Sequence, residues 1–335
     1  MPIRRTISAV LVVAVAFVAG GCGVLPGASP AASGPTPLTV GLGYIPSVQF
    51  APFYLAQQSG LYRDAGLEVT FQNKIDPDLI TLVGQGAVDI GLADGTSVIP
   101  AVSQGIPIRY VATVYRTFPS IVFAKASSGI ADAGDLEGTT LGIPGRYGSS
   151  WIMLQALLES AGLTPDDLEI RDYPDFGQGV AVQQDAVDAA TGFVNNEPVQ
   201  LELAGDDAAV LRVDDFVPLP GPGLIAGSQT IETKPAAIRA FVGATLAAMA
   251  QIVDDPEQGL NASIASVPEL AQNREAQAAI LAATVEAWQG SDGAPLGTVV
   301  RADWEESIAY LTRLGLVPTA LPADQVIDDS LLPAR

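Results

Sequence analysis

Short apolar runs alternate with segments of helical periodicity from Leu38 onward, and this alternation limits the possible folds more than any other feature of the chain. It is typical of parallel sheets that are covered by helices. Strands are predicted at residues 38–43, 67–72, 89–93, 108–115, 140–144, 168–173 and 189–194. Helices are predicted at residues 50–59, 78–84, 96–104, 149–161, 178–184 and 198–204. We therefore expect an α/β protein with mainly parallel sheets.

The length of 335 residues exceeds what one hydrophobic core usually organises, so two lobes are expected. Strand patterns become rare after about Ile225, and helices are predicted at 235–253, 256–266, 275–288 and 303–314. This helical tail needs a sheet to pack against, so the chain is expected to return to its first lobe near residues 224–231. The predicted lobes are 38–122 together with 224–335, and 123–223, joined by two crossing strands that form a hinge.

Two segments of similar sequence, 85–94 and 184–193, suggest that the lobes repeat one scheme. Each ends a helix, turns through Val-Asp and enters a short strand that stops at a polar tip. The similarity is weak, but it predicts a corresponding helix and strand in each lobe.

The N-terminus has the pattern of an export signal. Arg4 and Arg5 precede an apolar run at 9–19, which is long enough for a signal sequence and too short to span a bilayer. The following Ala19-Gly-Gly-Cys22 resembles a bacterial lipobox, with Ala19 where leucine is usual. A signal peptide is predicted at 1–21 and a lipidated Cys22 with a Gly/Ala/Ser/Pro tether at 22–37; an ordinary secretory signal with a coincidental cysteine is the alternative.

Composition excludes several functions. The chain has no histidine and one cysteine, so neither a Ser-His-Asp triad nor a Cys/His zinc site can form. A formal net charge of −21 repels the phosphates of nucleic acids. We expect no catalytic residues, no metal, no cofactor and no nucleic-acid partner.

Polar residues follow two of the predicted strands, at the sheet edge where open α/β proteins collect ligands. Asp94 and Thr96 follow one strand; Asp94 is expected either to cap the next helix or to accept a hydrogen bond from a ligand N–H. Asn195 and Glu197 follow another, directly after the ring of Phe193. Glu197 also suits the N-terminus of its own helix, so a structural role is the alternative.

The turn "GRYGSS" at 145–150 leads from a strand into a helix, whose N-terminal amides suit an anion or another strong acceptor. It lacks the Gly-Lys-Ser/Thr of a nucleotide-binding loop. Ser149 is expected at the lip of a cleft or, alternatively, as a simple N-cap. The further candidates for ligand contact are the aromatic and polar residues around the predicted cleft: Tyr44, Gln49, Arg146, Tyr147 and Trp151.

Four ordered segments together carry a family resemblance: residues 38–71, 88–108, 134–151 and 190–200. They resemble bacterial ABC-transporter substrate-binding lipoproteins of the alkanesulfonate and thiamine-pyrimidine-precursor binding family. The resemblance covers about residues 38–250 and implies a two-lobed type II periplasmic-binding-protein clamp. It further implies a small-molecule ligand, an ABC permease with its ATPase as partners, a monomer, and a place on the outer face of the cell membrane through the lipid anchor.

The ligand class is left open by the resemblance. The segments 44–54 and 195–198 are most similar to members for flat nitrogen heterocycles, either pyrimidine precursors of thiamine or riboflavin. Binders of alkanesulfonate, taurine or nitrate share the fold and are the first alternative. A pyrimidine-synthase-like enzyme is disfavoured, because those relatives use a histidine and a cysteine-rich segment. A ligand-sensing or adhesin module is a third hypothesis.

Overall fold

Two five-stranded sheets organise the computed structural model, which describes residues 34–73, 78–319 and 321–333. The predicted signal peptide, Cys22 and most of the tether lie outside the described residues. The first sheet contains β1 (Thr36–Leu42), β2 (Leu67–Asn73), β3 (Ile90–Asp94), β4 (Ile108–Thr113) and β10 (Pro222–Gly227). The second contains β5 (Ser120–Lys125), β6 (Thr140–Ile143), β7 (Glu169–Asp172), β8 (Ala189–Phe193) and β9 (Ala208–Arg212).

Both sheets have the same topology. The strand orders are β2-β1-β3-β10-β4 and β7-β6-β8-β5-β9. In each sheet the first three strands are parallel, and the fourth is antiparallel to both neighbours. Four of five strands therefore run in one direction, which confirms the predicted α/β class with mainly parallel sheets. The two similar segments end in β3 and β8, which occupy the same place in their sheets.

The two antiparallel strands come from the parts of the chain that cross between the sheets. β5 follows β4 and enters the second sheet, whereas β10 returns the chain to the first sheet between β3 and β4. The predicted strands with stated bounds include neither β5 nor β9 nor a strand at Pro222, although two crossing strands were expected at the hinge. Their short apolar runs gain strand structure from pairing with partners that are distant in sequence, which local patterns do not report.

The helices cover both faces of the sheets. They are α1 (Ala51–Gln58), α2 (Leu61–Asp64), α3 (Asp78–Gly84), α4 (Gly95–Ser103), α5 (Gly148–Ser160), α6 (Gln178–Gln183), α7 (Glu197–Leu203), α8 (Ser228–Thr233), α9 (Pro235–Asp254), α10 (Pro256–Ser266), α11 (Arg274–Gln289) and α12 (Arg301–Arg313). Below, the first lobe means the first sheet with its helices, and the second lobe means the second sheet with α5, α6 and α7. The lobe division by residue number remains a proposal.

The C-terminal helices supply a large part of the first lobe's core. α9 is apolar and long enough to cross a membrane, but Ile238, Phe241 and Met249 are buried against the first lobe. The ring of Phe241 stacks on Tyr62 at a centroid distance of 4.9 Å. The helical tail therefore packs on the first lobe, which completes a core that β1–β4 alone would leave exposed.

Candidate functional site

A cavity lies between the lobes, at the carboxyl ends of β1 and β3 on one side and of β6 and β8 on the other. Its cavity volume is about 130 Å³, and the space within it reaches about 950 Å³ when the solvent at its open mouth is included. Six aromatic residues line it, namely Tyr44, Phe50, Tyr115, Tyr147, Phe176 and Phe193. The polar lining residues are Gln49, Asp94, Ser149, Ser150, Gln178, Asn196 and Glu197. The remaining wall is Gly43, Leu92, Ala93, Pro144, Gly148, Gly192 and Pro222.

The aromatic residues meet across the cleft. Tyr44 of the first lobe and Phe176 of the second pack edge to face, with ring centroids 4.8 Å apart. Tyr115 and Phe193 make a second edge-to-face pair at 6.4 Å. Burial, and secondly the charge of Glu197, raise the pKa of Tyr44, so its hydroxyl stays protonated. The cavity therefore offers ring faces and edges to a flat ligand.

Glu197 is held by the turn that carries it. Its Oε2 accepts a hydrogen bond from the Phe193 backbone N–H at 2.7 Å, and its Oε1 accepts one from Asn196 Nδ2 at 3.1 Å. Burial raises the pKa of Glu197, while these hydrogen bonds lower it. A Cβ added to Gly192 would lie 2.7 Å from Oε2, so this close approach requires glycine. The carboxylate is thus fixed at the cavity wall.

Asp94 forms a hydrogen bond between the lobes. Its side chain does not cap α4; instead Oδ2 accepts a hydrogen bond from Ser149 Oγ at 2.8 Å. Oδ1 is buried and has no hydrogen-bond partner among the described residues. Burial raises the pKa of Asp94 to about 6, and the bond from Ser149 opposes this shift.

Ser149 is not an N-cap, so that alternative is wrong. The N-cap residue of α5 is Tyr147, and Ser149 is the second residue of the helix. Its buried hydroxyl therefore points across the cleft to Asp94 rather than back to its own helix.

Asn195 lies behind the cavity and not in its wall. Its side chain is 1% exposed and donates to Gln49 Oε1 at 2.9 Å and to Thr284 Oγ1 at 2.8 Å. The Tyr115 hydroxyl also donates to Gln49 Oε1, at 3.3 Å. We call these four residues the buried polar network. It links the second lobe, through Asn195, to the first.

Three other predicted residues lie outside the cavity wall. Thr96 is fully buried within α4. Arg146 is exposed, with its guanidinium 5.5 Å from the centroid of the Trp151 ring, and Trp151 packs against the core of the second lobe. Tyr44, Gln49, Asp94, Tyr147, Ser149, Phe193 and Glu197 are brought together as expected. The ligand-contact role of every candidate remains a prediction.

Several lining residues are not among the candidates that the sequence patterns indicated. Gln178 begins α6 and is 2% exposed, and its Oε1 has no hydrogen-bond partner among the described residues. Its position at a predicted helix start after Gly177 was an available indication. Phe176 has a φ of 61°, a left-handed conformation uncommon for a bulky residue, and no sequence pattern announces it.

The described part of the wall contains no lysine or arginine, and the described residues contain no acidic, cysteine or histidine group arranged for a metal ion. Two carboxyl groups, Asp94 and Glu197, are the ionisable acids of the wall. The arrangement suits stacking and hydrogen-bond acceptance better than neutralisation of an anion.

Residues 47–259 match the family described as "NMT1/THI5 like". Riboflavin-binding protein RibY of Chloroflexus aurantiacus is 32% identical over 88% of this chain and 86% of its own length. The formylaminopyrimidine-binding protein of Halalkalibacterium halodurans is 28% identical over 81% of this chain and 83% of its own. A relative of another kind is the 4-amino-5-hydroxymethyl-2-methylpyrimidine phosphate synthase of Legionella pneumophila, 26% identical over 70% of this chain and 74% of its own.

Among solved structures, the alkanesulfonate-binding protein SsuA of Xanthomonas axonopodis pv. citri, bound to MOPS, matches with a TM-score of 0.69. The identity is 18%, over 88% of this chain and 99% of that chain, so the likeness concerns the fold. It confirms the predicted two-lobed binding-protein fold.

Proposed function

This chain belongs to the NMT1/THI5-like family, and we propose that it is the extracytoplasmic solute-binding component of an ABC importer. In this proposal the two lobes capture a small flat heteroaromatic compound, either riboflavin or a pyrimidine precursor of thiamine. The observation that carries the ligand class is the cavity itself: six aromatic residues surround buried hydrogen-bond acceptors, and no cation lies in the described wall.

The hydrogen-bonding pattern of the cavity supports this ligand class. Asp94 Oδ1 and Gln178 Oε1 are buried acceptors without partners among the described residues. A buried acceptor that stays unpaired costs free energy, so a ligand that donates to it is favoured. An aminopyrimidine donates through its exocyclic amine, and riboflavin donates through its imide N–H and ribityl hydroxyls.

We assign roles to the cavity residues accordingly. Tyr44, Tyr147 and Phe193 contact the ring of the ligand, and Asp94 and Glu197 accept hydrogen bonds from its donors. Glu197 is fixed by its own turn, which lowers the entropy lost when a ligand binds. The names of the riboflavin-binding and formylaminopyrimidine-binding relatives support the same ligand class.

A sulfonate or nitrate ligand would suit the fold, but the described cavity wall offers such an anion no lysine or arginine. Arg146, the cation expected at the cleft, lies over Trp151 and outside the wall.

The enzyme alternative is supported by relatives that are named as synthases, but this chain contains no histidine. We therefore propose a binding role without catalysis, and the purified protein should form none of the pyrimidine phosphate for which the synthase relatives are named.

The remaining parts of the proposal concern location and partners. We propose that Cys22 is lipidated, that the protein is a monomer on the outer face of the membrane, and that a permease with its ATPase receives the ligand. Cys22→Ser should then release the protein from the membrane fraction. Wild-type protein found wholly soluble with a free thiol would contradict the anchor.

The ligand proposal is tested by thermal unfolding of the mature protein. A ligand at about one hundred times its Kd adds about 2.7 kcal/mol of stability, and for a chain of this size each kcal/mol raises Tm by about 1.5 °C. Riboflavin or the hydroxymethylpyrimidine should give a shift of this kind, and taurine, alkanesulfonate and nitrate should not. Most of the shift should disappear in Glu197→Ala.

The matched control is Glu202→Ala, which removes an exposed carboxylate from the same helix and should leave the shift intact. A strong response to sulfonates alone, abolished by Arg146→Ala and retained in Glu197→Ala, would reverse the ligand assignment.

A further inference from the structure

We propose that the cavity accepts only the unphosphorylated form of its heteroaromatic ligand, because Asp94 of the first lobe occupies the position at the start of α5 where a phosphate or sulfonate would otherwise bind. The inference rests on the proposed function, since it names which form of that ligand class the same site accepts. Asp94 is then a specificity-determining residue, and Gln178 is a second one on the opposite wall.

The start of α5 would favour an anion if it were left open. α5 has 13 residues, and Gly148, Ser149 and Ser150 of its first turn line the cavity. Helix N-termini carry partial positive charge and unpaired N–H groups, which makes them common phosphate sites. In this protein a carboxylate from the other lobe reaches that turn, because Ser149 Oγ donates to Asp94 Oδ2 at 2.8 Å. An anionic ligand would have to share this position with Asp94.

The rest of the described wall provides no positive charge that would stabilise such an anion. Its described residues include no lysine or arginine, and its second carboxyl group is Glu197. Like charges repel more strongly in a cavity of low dielectric constant than in water. Asp94 retains an acidic pKa of about 6, so its carboxyl is mostly ionised at neutral pH. A phosphate ester therefore meets repulsion where a neutral ligand meets an acceptor.

Gln178 adds a second, independent indication of ligand chemistry. Its side chain is 2% exposed, and Nε2 donates to the Thr191 backbone carbonyl at 3.3 Å. Gln178 and Asp94 both line the cavity, and Gln178 Oε1 and Asp94 Oδ1 are buried without a hydrogen-bond partner among the described residues. The open hydrogen-bonding positions on both walls are thus acceptors. Ring N–H groups and hydroxyls satisfy them, whereas a phosphate dianion brings only further acceptors.

The test compares two ligand pairs that differ only in a phosphoryl group: riboflavin with riboflavin 5′-phosphate, and hydroxymethylpyrimidine with its phosphate. Affinities are measured by titration calorimetry on wild type, Asp94→Asn and Asp172→Asn. Asp172 is exposed on β7, so its variant controls for the loss of one negative charge. In wild type and Asp172→Asn the phosphorylated member of the bound pair should bind at least tenfold more weakly. In Asp94→Asn this ratio should fall severalfold.

A second variant guards against misfolding of Asp94→Asn. Gln178→Glu keeps an acceptor and adds a negative charge to the opposite wall, although it loses the Nε2 hydrogen bond to the Thr191 carbonyl. It should increase the discrimination against the phosphorylated ligand. Equal affinity of wild type for both members of a pair, or an unchanged ratio in both cavity variants, would overturn this inference and leave the proposed function intact. Absence of binding to both pairs would instead contradict the proposed function, and this inference with it.

Discussion

Asp94 offers an acceptor to the ligand but lowers the stability of the ligand-free protein. Its sequence position allowed either a helix cap or a ligand acceptor, and the structure provides a hydrogen bond from Ser149 and one unpaired, buried oxygen. A buried carboxylate with an unpaired oxygen destabilises the fold when it is ionised. A ligand that donates a hydrogen bond to the unpaired oxygen would remove this cost.

The ligand-free protein should therefore lose stability at Asp94 as the pH rises. Burial raises the pKa of this carboxyl from 3.8 to about 6, so the folded state holds the proton more tightly than the unfolded state. The resulting stabilisation is complete below about pH 4 and is lost as the pH rises through about 6. At about 1.4 kcal/mol per pKa unit, the effect is about 1 to 3 kcal/mol.

Urea unfolding of wild type and Asp94→Asn at about pH 4 and about pH 7 measures this effect. Wild type should lose more stability between the two pH values than the variant. Glu197, whose pKa is also raised, and acids with lowered pKa such as Asp188 contribute equally to both proteins and cancel in the comparison. The same pH dependence in both proteins would show that Asp94 is not perturbed.

The element that positions Glu197, a ligand acceptor of the second lobe, is the turn from β8 into α7. The strand ends at Phe193, the helix begins at Glu197, and the Glu197 carboxylate bonds back to the Phe193 N–H. This arrangement brings the carboxylate over Gly192, so the strand needs a residue without a side chain there. Strand, turn and helix thus form one rigid support for Glu197.

Gly192→Ala should disturb this support for Glu197. The added Cβ would lie 2.7 Å from Glu197 Oε2 and 3.0 Å from the Phe123 ring, so the carboxylate must move. We expect a loss of about 1 to 3 kcal/mol in stability, as for other overpacked sites, and at least a tenfold loss of ligand affinity. Chemical denaturation and calorimetry measure the two effects.

Gly243→Ala is the matched control, because this glycine lies in α9 and an added Cβ meets only Pro333 at 3.4 Å. It should leave ligand affinity unchanged and stabilise the helix by up to about 1 kcal/mol. If Gly192→Ala behaves like this control, the proposed close approach to Glu197 does not matter for binding.

Closure of the two lobes is the prediction that belongs to the whole molecule. Two hydrogen-bonded contacts join the lobes at the cavity: Asp94 with Ser149, and Asn195 with the buried polar network. Because both require the lobes to be close, ligand binding should reduce the radius of gyration while leaving the helix content unchanged, as hinge closure does. Small-angle scattering and circular dichroism with and without ligand measure these quantities.

Asn195→Ala separates this closed state from ligand contact, since Asn195 lies outside the cavity wall. It should leave Thr284 Oγ1 without its donor and Gln49 Oε1 with the Tyr115 hydroxyl alone. We expect less compaction and a roughly tenfold loss of ligand affinity, since a lost buried hydrogen bond costs about 1 to 3 kcal/mol. Asn261→Ala, at an exposed site on α10, is the control. Full compaction in Asn195→Ala would mean that the network does not hold the lobes together.

The sequence by itself determined the α/β class and the order of most strands and helices. It also determined that Asp94 and Phe193 lie at strand ends and Glu197 at the start of the next helix. These features follow from local periodicity and from the geometry of parallel sheets. Only the tertiary structure decided the pairing of β5 and β10, the role of Ser149, and the places of Arg146 and Asn195. It also revealed Gln178 and Phe176. The physical reason is that these features depend on contacts between residues far apart in the chain: Ser149 bonds a carboxylate 55 positions away, and Asn195 bonds an amide 146 positions away.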